Sequence, residues 1–260
     1  NCLNSVYSQL ESVKFRQNTS RRTHRCRREG TSMQAVDVQG LHPRFAASVV
    51  LFATRKGHPV SGLTPVVRKL IAGRDPLGAS SIVESDHAEV HLSGPGSGYH
   101  LTIEREGCLL TVVVQDLVPT LTKELWPPLE LGHKVRDGWW VSEHDLIEAL
   151  LLLASGAVPS SKMVLSGRRR WTSEELIREA GLLQRRWMAG QGGAFSVDVL
   201  AEPHRPHVRV EAVVQDSKEP DLAPLHTLLT TRQSEGWRPQ MTVREALMHH
   251  LALNDGLNLG

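Results

Sequence analysis

The chain has 260 residues, of which 40% are apolar and 22% are charged, and its formal net charge at pH 7 is +2. This length can bury a substantial core, as one large domain or two smaller ones. The longest apolar run, at residues 149–154, is far too short to cross a membrane, and no apolar signal-peptide segment is visible. Three widely spaced cysteines argue against a disulfide framework or a zinc knuckle and favour a cytoplasmic protein.

Residues 1–32 form a basic arm with almost no apolar periodicity. The arm has seven lysine and arginine residues against two acids, so that residues 33–260 carry a slight net negative charge. Two interpretations stay open: the arm is a disordered tail for nucleic acid, or it is not native and the natural protein starts at Met33. No functional prediction depends on the arm.

Residues 33–157 predict an α+β unit. Its expected first strand is VVLFATRKG (49–57), and the following helix begins at the N-cap Thr64 with Pro65 at the first helical position. Alternating apolar residues then predict antiparallel strands, with a hairpin turn at SGPGSG (93–98). Those strands are AEVHL (88–92), YHLTIERE (99–106) and LLTVVVQD (109–116). A short helix, a Gly-Trp turn and a helix capped by Ser142 complete the unit.

Residues 158–260 repeat these patterns in the same order. The matches are VVLFATRKG with KMVLSGRRR, TPVVRKLIAG with TSEELIREAG, VVQD with VVQD, DGWW with EGWR, and IEALLLLA with REALMHHLA. The offset between the copies decreases steadily along the chain, as expected of a duplicated unit with shorter loops in its second copy. The predicted fold is therefore α+β and internally duplicated. Two units related by a pseudo-twofold axis would each contain a strand, a helix, antiparallel strands and a helix.

Two basic turns, each predicted between a first strand and a capped helix, are the most suggestive functional feature. Backbone N–H groups at a helix start, with arginine nearby, suit a phosphate, and arginine beside tryptophan suits single-stranded nucleic acid. The candidate nucleic-acid-binding residues are Arg55, Lys56, Arg168, Arg169, Arg170, Trp171, Arg185 and Arg186. The alternative interpretation is that these are solvated loops with arginines that lie along the surface.

Tryptophans recur in the Gly-Trp turns. Trp139 and Trp237 are expected to be structural anchors in the core, whereas Trp140 would point the other way and be an exposed contact or an interface between the units.

No metal or catalytic motif emerges from the sequence. His87 and His91 lie four apart on a predicted strand, about 13 Å from each other, which is too far to share one ion. His249 and His250 are expected to point to different sides of a helix. No serine or cysteine lies in a nucleophile motif, so the sequence predicts no catalytic residue, no metal and no cofactor.

Three functional hypotheses follow. The favoured one is a non-catalytic protein that binds single- or double-stranded DNA through the paired basic turns, and not an enzyme. The alternative is a protein-interaction adaptor, chaperone or immunity-type module, with a protein partner or a second copy and no membrane. The third is an enzyme with a site between the two units, where the titratable candidates are Asp116, Asp216, His100 and His207.

Overall fold

A six-stranded mixed sheet is the centre of the fold. The computed structural model describes residues 34–94, 100–125, 134–191, 196–198, 211–214 and 218–254. The strands of the sheet are β1 (Val36–Gly40), β2 (Val60–Ser61), β3 (Val90–Ser93), β4 (His100–Arg105), β5 (Cys108–Val114) and β9 (Ser161–Leu165), in the order β2-β1-β3-β4-β5-β9. All neighbouring pairs are parallel except those that involve β4, so β4 alone runs against the other five.

Outside the six-stranded sheet, the described residues form two small parallel ribbons and the helices named below. One ribbon pairs β6 (Leu117–Val118) with β8 (Val141–Ser142), and the other pairs β7 (Lys134–Arg136) with β10 (Glu211–Val213). The helices are α1 (Pro43–Arg55), α2 (Pro65–Arg74), α3 (Pro76–Ser80), α4 (Thr120–Leu125), α5 (Glu143–Ala154), α6 (Ser173–Gln191), α7 (Ala223–Thr230) and α8 (Val243–Asn254).

The main core lies between one face of the sheet and the helices α1, α5 and α7. The alternation along the strands decides which face is covered: Leu101 and Ile103 of β4 are buried, whereas His100 and Glu104 are exposed. Val49 and Val50 of α1, Leu146 and Leu150 of α5, and Leu225 and Leu229 of α7 belong to the same buried cluster. This arrangement leaves the opposite, polar face of the sheet without a helix among the described residues.

A second core joins α4, α6 and α8. Leu121, Leu176, Leu183 and Leu247 are buried together with Trp140. Capping boxes start two of these helices, because Thr172 and Glu175 exchange hydrogen bonds at the start of α6 and Thr242 and Glu245 do so at the start of α8. The capping predictions for these helices, and for Ser142 and Thr64, are confirmed.

The predicted first strand is wrong, because residues 49–55 belong to the helix α1. Pro43 occupies an early helical position, and Ala46, Val49, Val50 and Ala53 are buried at helical spacing. A short run of apolar residues fits a buried helix and a buried strand equally well. Local sequence therefore could not separate them.

The duplicated α+β fold is also wrong, although several local elements were predicted correctly. One mixed sheet takes its strands from residues 36–165, and only β9 of that sheet comes from the proposed second unit. Of the second VVQD stretch, only Val213 lies in a described strand, β10, which pairs with β7 in a separate ribbon. Residues 33–260 form one compact unit. The matched segments VVLFATRKG and KMVLSGRRR fold as a helix end and as a strand, so the sequence repeat does not correspond to two copies of one structure.

The basic arm lies outside the described residues. None of the described helices is long and apolar enough to span a membrane.

Gly167 lies where two chain segments touch backbone to backbone. Its N–H donates to the carbonyl of Trp139, and a Cβ atom there would lie 2.2 Å from the carbonyl oxygen of Trp140. Gly167→Ala must therefore displace a backbone, and we expect it to lower the free energy of unfolding by about 2 kcal/mol. The matched control is Gly73→Ala in α2, where nothing lies within 4 Å of the added atom. It should raise stability by about 0.5–1 kcal/mol. Urea unfolding measures both, and equal effects would contradict the close contact.

Candidate functional site

The first turn of α5 carries the most unusual group of titratable side chains in the described structure. Ser142 caps the helix by accepting a hydrogen bond from the N–H of Asp145, and Glu143 and Asp145 place carboxylates at the positive end of the helix. The first turn packs against α1, α2 and α8 instead of facing open solvent. Acidic side chains that would suit a surface helix start are therefore partly or fully buried here.

Glu143 and His250 meet at the junction between the two cores. The Nε2 atom of His250 lies 3.4 Å from Oε2 of Glu143, and the two side chains are only 10% and 15% exposed. The carbonyl of Val118 accepts a hydrogen bond from the same ring. In the tautomer that carries its proton on Nδ1, Nε2 of the neutral ring is an acceptor that faces Glu143.

The environment favours the neutral form of both groups. Burial raises the pKa of the Glu143 carboxyl above its ordinary value, despite a hydrogen bond with Ser48 and the nearby Arg74. Burial, assisted by the neighbouring His249, lowers the pKa of His250 to about 4. A neutral carboxyl and a neutral imidazole in contact can share one proton, with Glu143 as donor and His250 as acceptor.

Ser48 and Arg74 extend this pair into a short polar network. One guanidinium nitrogen of Arg74 donates to the hydroxyl of Ser48 at 3.0 Å and to the carbonyl of Arg44 at 3.3 Å. The Nε atom of Arg74 is buried and has no hydrogen-bond partner among the described residues. Residues of α1, α2, α5 and α8 therefore converge on one carboxyl group.

The next imidazoles lie around this network. His144 packs edge-on against Phe52, and its Nδ1 atom is buried without a hydrogen-bond partner among the described residues. His249 lies next to His250 with ring centroids 6.1 Å apart. Burial lowers the pKa of His249, and the nearby His144, Arg55 and Arg74 lower it further.

A possible metal set on the same helix is already occupied by protein contacts. Ligand atoms of His144, Asp145 and Glu148 lie within 4.8 Å of one another. However, both oxygens of Asp145 accept hydrogen bonds from Ser142 and from backbone N–H groups, and Glu148 pairs with Lys56 at 3.2 Å. The arrangement serves as a set of structural hydrogen bonds and gives no support to a metal site.

The first predicted basic turn is the C-terminal end of α1. Arg55 pairs with Asp75 at 3.1 Å, and Lys56 lies over the ring of Phe52 and pairs with Glu148. Cations at a helix C-terminus complement the helix dipole, which is the opposite of the predicted location before a helix start. Both side chains therefore have a structural explanation.

The second basic turn does precede a helix, but two of its three arginines are engaged with acids. Arg169 pairs with Glu175 and lies over the ring of Trp171, and Arg170 pairs with the buried Asp137 at 3.1 Å. Arg168 is exposed, and no ion pair joins it to another described residue. Trp171 is half-buried against the second core and forms a backbone bridge with Gly138. These contacts hold the start of α6 in place.

Arg185 and Arg186 lie on α6 and are partly buried, next to Trp187, which is 39% exposed. These two arginines therefore belong to a helix of the second core, whereas Arg55 and Lys56 lie at the end of α1. The two predicted basic turns occupy different kinds of structure and do not form an equivalent pair.

The tryptophan predictions have mixed outcomes. Trp237 is buried, and its indole N–H donates to the carbonyl of Ser166 at 3.0 Å, which confirms it as a core anchor. Trp139 is half-buried. The prediction that Trp140 is exposed is wrong, because it is 4% exposed in the second core.

The titratable set proposed between two units does not assemble among the described residues. Asp116 is buried, pairs with Arg136 and accepts a hydrogen bond from the N–H of Trp139, whereas His100 is exposed on β4. Asp216 and His207 lie outside the described residues.

Sequence reasoning missed Glu143 and Ser48 entirely and mentioned His250 only as a poor metal ligand. The available signal was a pair of adjacent histidines in the middle of an amphipathic helix, with Leu247 and Leu251 beside it.

No protein-family model and no curated protein sequence matches the chain. Solved structures do show similarity at low identity. The enzyme WbmG of Bordetella bronchiseptica, in complex with NAD and UDP, is 10% identical with a TM-score of 0.42, over 86% of this chain and 95% of that chain. RMD of Pseudomonas aeruginosa, complexed with NADPH, is 12% identical with a TM-score of 0.29, over 81% of this chain and 53% of that chain. TunA, a NAD-dependent NDP-hexosamine 5,6-dehydratase of tunicamycin biosynthesis, is 14% identical with a TM-score of 0.33, over 84% and 70%.

The predicted non-catalytic DNA-binding protein depended on two equivalent basic turns, which the described residues do not form. In the chain itself, Arg55, Lys56, Arg169 and Arg170 pair with carboxylates. The DNA-binding prediction is therefore wrong, and the prediction that the protein is not an enzyme is not kept.

The residues of this chain do not fit a dinucleotide at the usual place. Such a pyrophosphate needs a glycine-rich turn between the first strand and helix, with backbone N–H groups aimed at it. Here Gly40 is followed by Leu41, His42 and Pro43, and proline supplies no N–H. A Cβ atom at Gly40 would lie 2.6 Å from Cβ of Ser93, so contact with β3 explains this glycine. The β1–α1 turn therefore gives no support to nicotinamide binding.

Arg170 balances a buried carboxylate, whereas its neighbour Arg168 does not. Arg170→Ala leaves Asp137, whose side chain is 6% exposed, without its cation. We expect a loss of stability of about 1–2 kcal/mol, against less than about 0.5 kcal/mol for the control Arg168→Ala. Chemical unfolding of both variants at pH 7 measures the difference. An equal loss of stability in the two variants would show that the ion pair between Arg170 and Asp137 does not stabilise the fold.

The buried His250 makes stability depend on pH. Its folded pKa of about 4 lies below the ordinary value of 6.5, so the unfolded chain takes up the proton first. The contribution of the neutral His250 to the free energy of unfolding is complete above pH 6.5 and is lost as the pH falls to about 4. Its total is on the order of 3 kcal/mol. The raised pKa of Glu143 acts in the opposite sense, since its contribution is lost as the pH rises.

We therefore expect His250→Asn to flatten the stability profile between pH 6.5 and 4, measured by urea unfolding at a series of pH values. The control is His91→Asn, on the half-exposed histidine of β3. A profile of the same steepness in the His250 variant would contradict the burial of this imidazole.

Proposed function

We propose that the protein is an enzyme that transfers protons by general acid–base catalysis at Glu143 and His250. The contact of 3.4 Å between a carboxyl oxygen and an imidazole nitrogen, both largely excluded from water, is the observation that carries the proposal. Buried titratable groups with shifted pKa values concentrate at functional sites.

Each residue of the network has a role in this proposal. Glu143 holds a proton to donate, and Nε2 of His250, which faces the Glu143 carboxyl, receives one. Ser48 and Arg74 orient the Glu143 carboxyl through hydrogen bonding and charge. The unpaired Nε–H of Arg74 offers a donor to an acceptor atom of a small substrate.

The test is a pair of isosteric variants with a matched control. Glu143→Gln and His250→Asn remove one titrating group each, and Glu174→Gln changes an exposed glutamate of α6. A set of nitrophenyl esters, phosphates and glycosides serves as substrate probes. We expect turnover of at least one probe by the unaltered chain and by Glu174→Gln, and about a 100-fold loss of kcat in the two site variants.

Two results would refute the proposal. One is turnover that survives unchanged in both site variants, which would place the chemistry elsewhere. The other is an unaltered chain that turns over none of the probes while the ring carbons of His250 titrate near pH 6.5 in NMR spectra, since the buried pair would then not exist in solution.

A cytoplasmic location belongs to this proposal and rests on the number and spacing of the cysteines. A protein partner or a second copy also stays a proposal. The uncovered sheet face of the described structure supports it, because Leu109 there is 48% exposed. Sedimentation analysis of the chain and of Leu109→Asp tests the second copy, and a monomer in both cases would contradict it.

A further inference from the structure

We propose that Asp145 is the positioning residue that brings His250 against Glu143. The inference rests on the proposed function of this pair. Asp145 lies two residues after Glu143 on α5, and its carboxylate reaches the chain immediately before α8, the helix that carries His250. One short helical segment would thus hold the acid and also the anchor for its partner.

The anchor consists of hydrogen bonds to backbone N–H groups. Oδ1 of Asp145 accepts from the N–H of Gln240 at 2.8 Å, and Oδ2 accepts from the N–H of Met241 at 3.2 Å and from the hydroxyl of Ser142 at 2.6 Å. Asp145 is 2% exposed. Hydrogen bonds to a buried carboxylate are among the stronger ones in proteins, so this contact specifies the position of residues 240 and 241.

A rigid helix connects this anchor to His250. The capping box of Thr242 and Glu245 begins α8 directly after Met241. His250 follows eight residues after Thr242, which is about 12 Å along the helix axis. Ala246 and Leu247, on the same helix, are buried in the second core. A displacement at residues 240 and 241 would therefore be transmitted to the imidazole with little loss.

The two contacts close a loop of interactions. Asp145 binds the chain before α8, α8 carries His250, His250 contacts Glu143, and Glu143 returns to Asp145 along α5. The groups that face His250 come from every packed element: Glu143 from α5, Arg74 from α2, His249 from α8 and the Val118 carbonyl from β6. Asp145 is not among these groups, so a change there reaches His250 through position and through the loss of one buried negative charge. The loss of a negative charge by itself would lower the pKa of His250, which is the opposite of the effect expected from displacement.

The experiment compares two buried aspartates of similar chemistry. Asp145→Asn weakens the anchor of α8, whereas Asp137→Asn weakens the equivalent anchor of α6, where Asp137 accepts from the N–H of Ser173. Both variants should lose stability. NMR titration of the His250 ring in the full chain is the readout that a purely structural role would not move.

We expect the pKa of His250 to rise by about one unit or more in Asp145→Asn and to stay near 4 in Asp137→Asn. Gln240→Pro removes one of the two donors and keeps the carboxylate, so it supplies a milder variant if Asp145→Asn does not fold. An unchanged His250 titration in the variants that fold, or an equal shift in Asp137→Asn, overturns the proposal.

The result is separable from the proposed function because it needs no substrate. A shifted titration together with normal turnover in Glu143→Gln would keep Asp145 as the positioning residue and reject the catalytic role of the pair. Loss of turnover in Glu143→Gln with an unshifted titration in Asp145→Asn would support the catalytic role of the pair and reject Asp145 as the positioning residue.

Discussion

Buried aspartates that accept backbone N–H groups from distant segments are the interaction on which the rest of this structure depends. The pairs are Asp116 with Trp139, Asp137 with Ser173, and Asp145 with Gln240 and Met241. A buried carboxylate is tolerated only where several donors surround it, so each aspartate specifies one arrangement of its partner segment. Apolar contacts alone would allow several positions of the second core relative to the main core, whereas these hydrogen bonds specify one.

The candidate site is a consequence of that register. Glu143 belongs to a helix of the main core, and His250 belongs to a helix of the second core, so neither core contains the pair by itself. Burying the two together costs free energy unless both stay neutral or share a proton. The shifts in their pKa values, upward for Glu143 and downward for His250, express this cost. A chain that only needed stability would be better served by apolar residues at these positions.

Local signals in the sequence predicted local structure well. Ser142, Thr172 and Thr242 cap helices as their spacing to an acidic residue indicated, and the alternation in LLTVVVQD indicated a strand. The errors arose where a decision depended on distant partners. The stretch VVLFATRKG has the apolar content of a strand but becomes a helix against the sheet. Val213, the first residue of the second VVQD, lies in β10, which pairs with β7 and not with the central sheet. Similar local patterns therefore did not imply similar structures.

The sequence by itself determined where α2, α5, α6 and α8 begin and which strands alternate, because capping and periodicity depend on residues a few positions apart. Only the tertiary structure decided that Arg55, Lys56, Arg169 and Arg170 pair with acids, and that Glu143 meets His250. Those partners lie between 6 and 107 positions apart in the chain. The contact between Glu143 and His250 follows from the packing of the two cores, which no local pattern encodes.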